Sequence, residues 1–215
     1  MRRAFVFDQE KCMACNTCTV ACKDGNNVNP GPVRWRKQYT HEKGASITAG
    51  ASTDKFFLPF SMSCNHCAQP ACQKVCGAGA IIKRPDGIVY VDRKKCIEIK
   101  NCLSACPFAA AQQADSQQEP EGQVGWSRSH PMQKCDFCKD RLDRGEKPIC
   151  VEACPVFALD AGDYDEMTAK YASMGITLEP LTRADFPYAY KNTDESTQPS
   201  MLIHKRKAQI IIKTV

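Results

Sequence analysis

The sequence predicts an α+β fold of two small units, one nested inside the other and related by a pseudo-two-fold, with loop insertions and an extended C-terminal arm. Three observations predict it. Fifteen of the 215 residues are cysteine, gathered in four tight groups. Short alternating segments lead into the first and third of these groups, as strands leading into loops would. Long polar stretches separate the first group from the second and the third from the fourth. At 215 residues the chain has room for one large domain or two small ones. Nothing approaches 18 uninterrupted apolar residues, so no membrane span is expected.

Along the chain, Arg3-Ala4-Phe5-Val6-Phe7-Asp8 alternates as a strand does. The opening Met1-Arg2-Arg3 invites a twin-arginine reading, but an export signal needs an apolar segment next, and Asp8, Gln9, Glu10 and Lys11 interrupt it. The expectation is that the chain carries no export signal of its own. After the first cysteine group, Asn26 to Pro32 is rich in Asn, Gly and Pro, and polar sequence continues to Lys55, which reads as a surface excursion. Ile81-Ile82 fits a strand, and Gly87 to Asp92 is a second clear one just before Cys96. A longer polar insertion runs from Gln112 to Gln133 and includes Glu119-Pro120-Glu121-Gly122. Loops of about 20 residues in a compact domain are usually functional or disordered, so both insertions are candidate linkers and docking surfaces. Trp126 lies in the second, either anchoring an interface or folding back onto its own domain.

Residues from about Asp163 to Ala172 have helical character. Lys191 to Ser200 is polar and reads as irregular, and the segment Met201 to Val215 ends in the apolar, β-branched run Ala208-Gln209-Ile210-Ile211-Ile212-Lys213-Thr214-Val215. We read this end as an arm that pairs with a partner; a strand in the chain's own sheet is the alternative. The basic run His204-Lys205-Arg206-Lys207 reads as solvated surface, and nothing else points to nucleic acid. The boundaries expected are an outer unit over 1–55 and 135–190, an inserted unit over 56–134, and the tail over 191–215.

The cysteines carry the chemistry. A disulfide framework fails on their odd number and on the lack of a secretory context. Zinc sites usually separate two C-x2-C pairs by a longer loop and often include histidine; the chain has four histidines, and only His66 lies inside a cysteine group. The run Cys12-x2-Cys15-x2-Cys18-x3-Cys22 has instead the spacing of a bacterial ferredoxin. Three close thiolates on a wrapping loop hold three corners of one cubane, and the fourth points away to a second. Soft, anionic sulfur suits iron, and four thiolates leave no open site.

Such cross-ligation pairs the groups. Cys64, Cys67 and Cys72 are expected to share a cluster with Cys106, and Cys76 to join Cys96 and Cys102. At the outside, Cys12, Cys15 and Cys18 pair with Cys154, and Cys22 with Cys135, Cys138 and Cys150. One ferredoxin-like two-cluster unit is then nested in the loop of another. Pairing adjacent groups, first with second and third with fourth, is the alternative. His66 is expected to serve loop packing, with a hydrogen bond to a cluster sulfur as its functional reading. The formal charge of +5 is a weak pointer to acidic partners, because four clusters of about −2 each would bring it to about −3. No free nucleophile or acid–base constellation stands outside these groups, which argues against a stand-alone enzyme.

These motifs resemble the four-cluster iron–sulfur subunits of the molybdopterin oxidoreductase superfamily, of the dimethyl sulfoxide reductase type. The likeness rests on Cys12-Met13-Ala14-Cys15-Asn16-Thr17-Cys18, Ala21-Cys22-Lys23, Ser63-Cys64-Asn65-His66-Cys67, Pro70-Ala71-Cys72 and Lys74-Val75-Cys76. It continues through Asp86-Gly87, Ala105-Cys106-Pro107, Lys134-Cys135-Asp136-Phe137-Cys138 and Lys147 to Pro155. It spans about residues 3–160. The resemblance implies the nested pairing and a non-catalytic electron wire between a large molybdenum subunit, carrying molybdopterin guanine dinucleotide, and usually a quinol-oxidising membrane anchor. The cluster of the first and last groups would lie nearest the catalytic partner, and that of the third group at the quinone-facing end. It also implies folded export with the catalytic partner to the extracytoplasmic face, where the chain would be peripheral; a cytoplasmic place is the alternative. The wire could equally serve a hydrogenase, a formate dehydrogenase or a soluble molybdenum reductase. A zinc-stabilised interaction module is the remote alternative from another class.

Two departures from the family pattern stand out. Gly77 follows Cys76 where proline is usual, a minor backbone change. In the third group the pattern C-I-G-C-x-x-C is replaced by Cys96-Ile97-Glu98-Ile99-Lys100-Asn101-Cys102. Isoleucine cannot ligate iron. The expected cofactors are three 4Fe–4S clusters and, held by Cys76, Cys96 and Cys102, one 3Fe–4S cluster of higher potential. The rivals are a fourth 4Fe–4S cluster with Glu98, water or hydroxide on its last iron, or an empty site.

Overall fold

A computed structural model describes residues 1–43, 56–120, 125–182 and 195–206. The alternating segment Arg3–Asp8 forms strand β1, and Ala4 through Asp8 are all buried because both faces of the strand are covered. Ala4 and Val6 point to one side, where Met167 and Tyr171 of helix α6 (Tyr164–Ser173) close over them. Phe5 and Phe7 point to the other, into the core that holds Cys12, Cys18, Cys135, Cys150 and Cys154. The strand therefore divides an ordinary helix-on-sheet layer from the cysteine-lined layer.

Around it is a four-stranded mixed sheet in the order β6-β1-β8-β7, with β6 over Leu159–Asp163, β7 over Glu179–Pro180 and β8 over Met201–His204. β1 runs antiparallel to β6 and parallel to β8. Part of the segment expected to form an arm is thus an inner strand of the chain's own sheet: Met201, Leu202 and Ile203 are buried and pair with Phe5 to Phe7. Apolar residues beside an open strand edge are sufficient cause. The run Ala208 to Val215 lies outside the described residues. The basic run before it is tied down locally, with His204 Nδ1 3.1 Å from Asp8 Oδ1 and Lys205 Nζ 2.6 Å from Glu179 Oε2.

Within the polar stretch expected as a surface excursion, residues Arg36 to Lys43 form a strand. Strand β2 (Arg36–Lys43) pairs antiparallel with β3 (Phe56–Ser63) in a two-stranded ribbon. Such a ribbon has only edges, which is why Pro59 is tolerated in it. A third pairing joins β4 (Ile81–Lys83) to β5 (Val89–Val91), turned by Asp86-Gly87 with Gly87 at φ 87. The second insertion is likewise partly packed. A bridge between Gln112 and Gln133 closes its base, buried Gln118 donates to the carbonyls of Asn29 and Val33, and Arg93 lies 3.9 Å over the Trp126 ring. Trp126 folds back onto its own domain.

The remaining helices are short: α1 (Thr17–Gly25), α2 (Ala71–Lys74), α3 (Asn101–Ala105), α4 (Lys139–Leu142) and α5 (Ile149–Glu152). Each begins within or just after a cysteine loop. Helix α1 packs on α5 with Gly25 directly against Ile149, which brings the first and fourth cysteine groups together.

Candidate iron–sulfur sites

The cysteine loops turn by an unusual device. Non-glycine residues take left-handed φ inside each of them: Ala14 and Asn16, His66, Glu98 and Lys100, Phe137 and Cys138. Left-handed residues set among ordinary ones curl the backbone so that side chains and amides face one concave space. Backbone amides then donate to thiols, Ala158 N to Cys154 Sγ at 3.2 Å, and Ala110, Met132 and Phe137 N to Cys106, Cys96 and Cys135 Sγ at 3.4 Å.

Four sets of thiols converge. Cys12, Cys15, Cys18 and Cys154 border one small cavity. Burial pushes the Cys12 thiol up to about 11, and repulsion from Cys18, Cys154 and Cys15 adds to it. Cys15, at the surface, is lowered by the Thr17 hydroxyl 3.3 Å away. Cys22 on α1 is pushed up to about 12 by burial, then by Cys150 on α5 and by Cys138, and Cys135 is raised by burial and then by Cys22 and Cys138. Cys67 is raised by burial, then by Cys64, Cys106 and Cys72. Cys102 is pushed up to about 11 by burial, then by Cys96 and Cys76. An apolar cavity lies among Cys76, Cys96 and Cys102, and Ile99 lines it too.

The sets form a series, each beside the next. Cys150 of the second senses Cys18 of the first, Cys135 of the second senses Cys64 of the third, and Cys72 of the third senses Cys102 of the fourth. The series reaches the surface at both ends, at exposed Cys15 and at Ile99, 58% exposed.

The donor sets fit iron–sulfur clusters. Among the described residues no group of three or more Cys, His, Asp or Glu side chains is placed to hold a single metal ion. Buried thiols with raised pKa stay protonated when free and become good ligands only opposite a strong positive charge. Buried donors beside them also lack partners: Arg36 Nε, His66 Nε2 and Asn65 Nδ2. Orphaned buried donors call for an acceptor, and cluster sulfide is one. His66 is held neutral by burial and then by Lys134, and its Nδ1 accepts the Val89 amide at 3.0 Å. The unpartnered Nε2 therefore carries the proton. The ring packs edge-on against Phe137 at 5.0 Å.

Glu98, the acid beside Ile99, has its carboxylate engaged by the His130 amide. Two residues of the cysteine-lined core escape sequence reasoning, Arg36 and Lys134. Both are fully buried cations. Arg36 opens a polar segment with no visible signal of burial. Lys134 stands directly before Cys135, a place in which a lysine reads as ordinary surface.

The sequence matches the 4Fe-4S dicluster domain family over residues 55–164. It is 40% identical to the B subunit of the anaerobic dimethyl sulfoxide reductase of Escherichia coli (strain K12), across 85% of this protein and 83% of that one. It is 38% identical to the B subunit of the Haemophilus influenzae enzyme, across 94% and 89%. The thiosulfate reductase electron transfer subunit of Salmonella typhi is 38% identical across 75% and 76%. With cysteine sets suited to clusters and likeness at this level over most of its length, the polypeptide belongs to the family of dimethyl sulfoxide reductase B subunits, the non-catalytic iron–sulfur electron-transfer subunits of molybdopterin oxidoreductases.

Proposed function

We propose that the protein is a four-site electron relay, with a large subunit carrying molybdopterin guanine dinucleotide at one end and a quinol-oxidising membrane anchor at the other. In this reading Cys12, Cys15, Cys18 and Cys154 hold the first cluster. Cys22, Cys135, Cys138 and Cys150 hold the second, and Cys64, Cys67, Cys72 and Cys106 the third. Cys76, Cys96 and Cys102 hold the fourth. The chain is then two nested ferredoxin-like units, 56–134 inside 1–55 and 135–190. The observation that carries the reading is the series of four thiol sets with both ends at the surface.

The clusters, when bound, supply one-electron chemistry. The protein's own residues hold them in order, exclude water and donate hydrogen bonds to sulfur. At the fourth site we propose three irons. The amide of His130 donates to Glu98 Oε1, and much of the lining around the three thiols is apolar, with Val75, Ile97, Ile99, Leu103 and Met132 in it. A higher potential there suits electron entry from a quinol. Among the described residues no helix is long and apolar enough to cross a membrane, and we place the protein peripherally on the extracytoplasmic face, carried there folded by its catalytic partner.

The test is isolation of the native complex. A brown preparation with acid-labile sulfide, co-purifying with a large molybdenum subunit and fractionating with the outer face of the membrane, is expected. A colourless zinc protein, or one that purifies with no large redox subunit, would contradict it.

A further inference from the structure

Arg36 and Lys134 are the two cations buried among the described residues, at 1% and 2% exposure, and neither has a carboxylate within ion-pair distance there. The Arg36 guanidinium stacks 4.7 Å over Phe5 and donates to Ser61 Oγ at 3.1 Å and Ser63 Oγ at 3.0 Å. Ser61 Oγ in turn is 3.3 Å from Cys18 Sγ. The Lys134 ammonium donates to Cys64 Sγ at 3.4 Å, to the Cys135 carbonyl at 3.0 Å and to the Val89 carbonyl. Taking an ammonium or guanidinium out of water with no counter-charge is strongly unfavourable. Something negative must face each one.

Among the described residues the candidates are the cysteine sets, with the Asp136 carboxylate also within electrostatic reach of Lys134, and each cation sits on a seam between two of the sets. Arg36 faces Cys18 of the first set and Cys22, Cys135 and Cys150 of the second. Lys134 faces Cys135 of the second and Cys64 and Cys72 of the third. No equally buried cation faces Cys76, Cys96 and Cys102 among the described residues.

We propose that Arg36 and Lys134 are positioning charges of the relay, each stabilising the electron on the two iron–sulfur sites that flank it. The site of Cys22, Cys135, Cys138 and Cys150, which both cations face, is raised in potential by both. This rests on the ligand sets proposed above. Each step moves one electron from a neighbouring site or partner, makes and breaks no bond and moves no proton. The receiving site gains one unit of negative charge, and a fixed positive charge in a low-dielectric seam favours that state.

The experiment is a redox titration, followed by electron paramagnetic resonance, of the full-length, cluster-loaded protein purified with its native partners. Arg36→Gln is expected to lower two 4Fe–4S midpoints, and Lys134→Met to lower two, with one midpoint common to both. The three-iron signal is expected to titrate unchanged in each variant, and Arg36→Lys to return the midpoints to their wild-type positions. Unshifted midpoints in fully loaded Gln and Met variants would overturn this inference alone. If Arg36→Gln loses iron while Arg36→Lys keeps it, charge is the requirement and the inference stands. Loss of iron in both overturns it in favour of packing, and the same comparison holds for Lys134→Met beside Lys134→Arg. A wild-type protein without the four clusters would overturn the ligand sets themselves.

Discussion

Ile99 stands in the third cysteine loop where Cys15 stands in the first. Cys15 is flanked by left-handed Ala14 (φ 57) and Asn16 (φ 63), and Ile99 by left-handed Glu98 (φ 61) and Lys100 (φ 67). Asn16 stands at the N-cap position of α1, which carries Cys18, and Lys100 at that of α3, which carries Cys102. Both central residues are exposed. The backbone of a four-cysteine loop is therefore kept at Ile99, and only the thiol is gone.

A first prediction follows from that equivalence. Ile99→Cys is expected to place a thiol ready to ligate and to convert the fourth site to 4Fe–4S, with the loss of any three-iron signal and a lower midpoint. The mirror change, Cys15→Ile, is expected to create a second three-iron signal. Both are read by electron paramagnetic resonance and iron analysis. Spectra identical to wild type in both variants would show that these two positions do not face clusters.

Gly77 opens a turn that recurs after the cysteines. Gly79 N donates to the Cys76 carbonyl at 3.0 Å, as Ala109 N does to Cys106 at 3.3 Å and Phe157 N to Cys154 at 3.2 Å. Pro107 and Pro155 occupy the second turn position in the other two, where a fixed φ near −65° is favourable. A side-chain carbon at Gly77 meets nothing within 4 Å. Gly77→Pro is expected to stabilise by about 0.4–1 kcal/mol through the unfolded state, measured as a raised denaturant midpoint. A lowered midpoint would mean that the turn needs glycine.

Ser200 clamps the C-terminal segment to the second cysteine loop. Its hydroxyl accepts from Arg2 Nε at 2.7 Å and donates to the His66 carbonyl at 2.9 Å, and its amide donates to the Asn65 carbonyl at 2.8 Å. Ser200→Ala leaves two partners of the hydroxyl unpaired and is expected to cost about 1–3 kcal/mol. Hydrogen exchange is expected to quicken first at Asn65 to Gln69, since Ala68 and Gln69 also donate to Gln198 and Thr197. An unchanged exchange pattern would contradict the clamp.

Asp163 caps α6 and gives the fold a pH dependence. Its carboxylate accepts from Arg2 N at 3.0 Å and from Asp165 N at 3.1 Å, and these bonds, that from Arg2 foremost, lower its pKa. A depressed folded pKa contributes stability that is fully present above the ordinary aspartate value and lost as pH falls through the folded one. Asp163→Ala is expected to cost about 1 kcal/mol at neutral pH, with the gap to wild type closing in acid. A gap that stays constant with pH, read by circular dichroism melts, would show that the charge plays no part.

How much of this was legible in the sequence depends on what each residue does. β1 alternates because its two faces meet different layers, and α6 shows helical character with an aspartate at its start, so both could be read directly. The cysteine groups are visible because ligand spacing is local. Arg36 is not, because a cation buried against sulfur is indistinguishable in sequence from one in water. β8 is hidden for a related reason: its partner strand lies at the opposite end of the sequence, and a short apolar run in a polar tail looks equally like an arm.

The proposed relay has four sites, with three irons at the Ile99 end. Electron paramagnetic resonance of the oxidised wild-type protein, with iron counted on the same sample, tests it most directly. The expected result is a signal near g of about 2.01 with about 15 irons per molecule. About 16 irons and no such signal would contradict it.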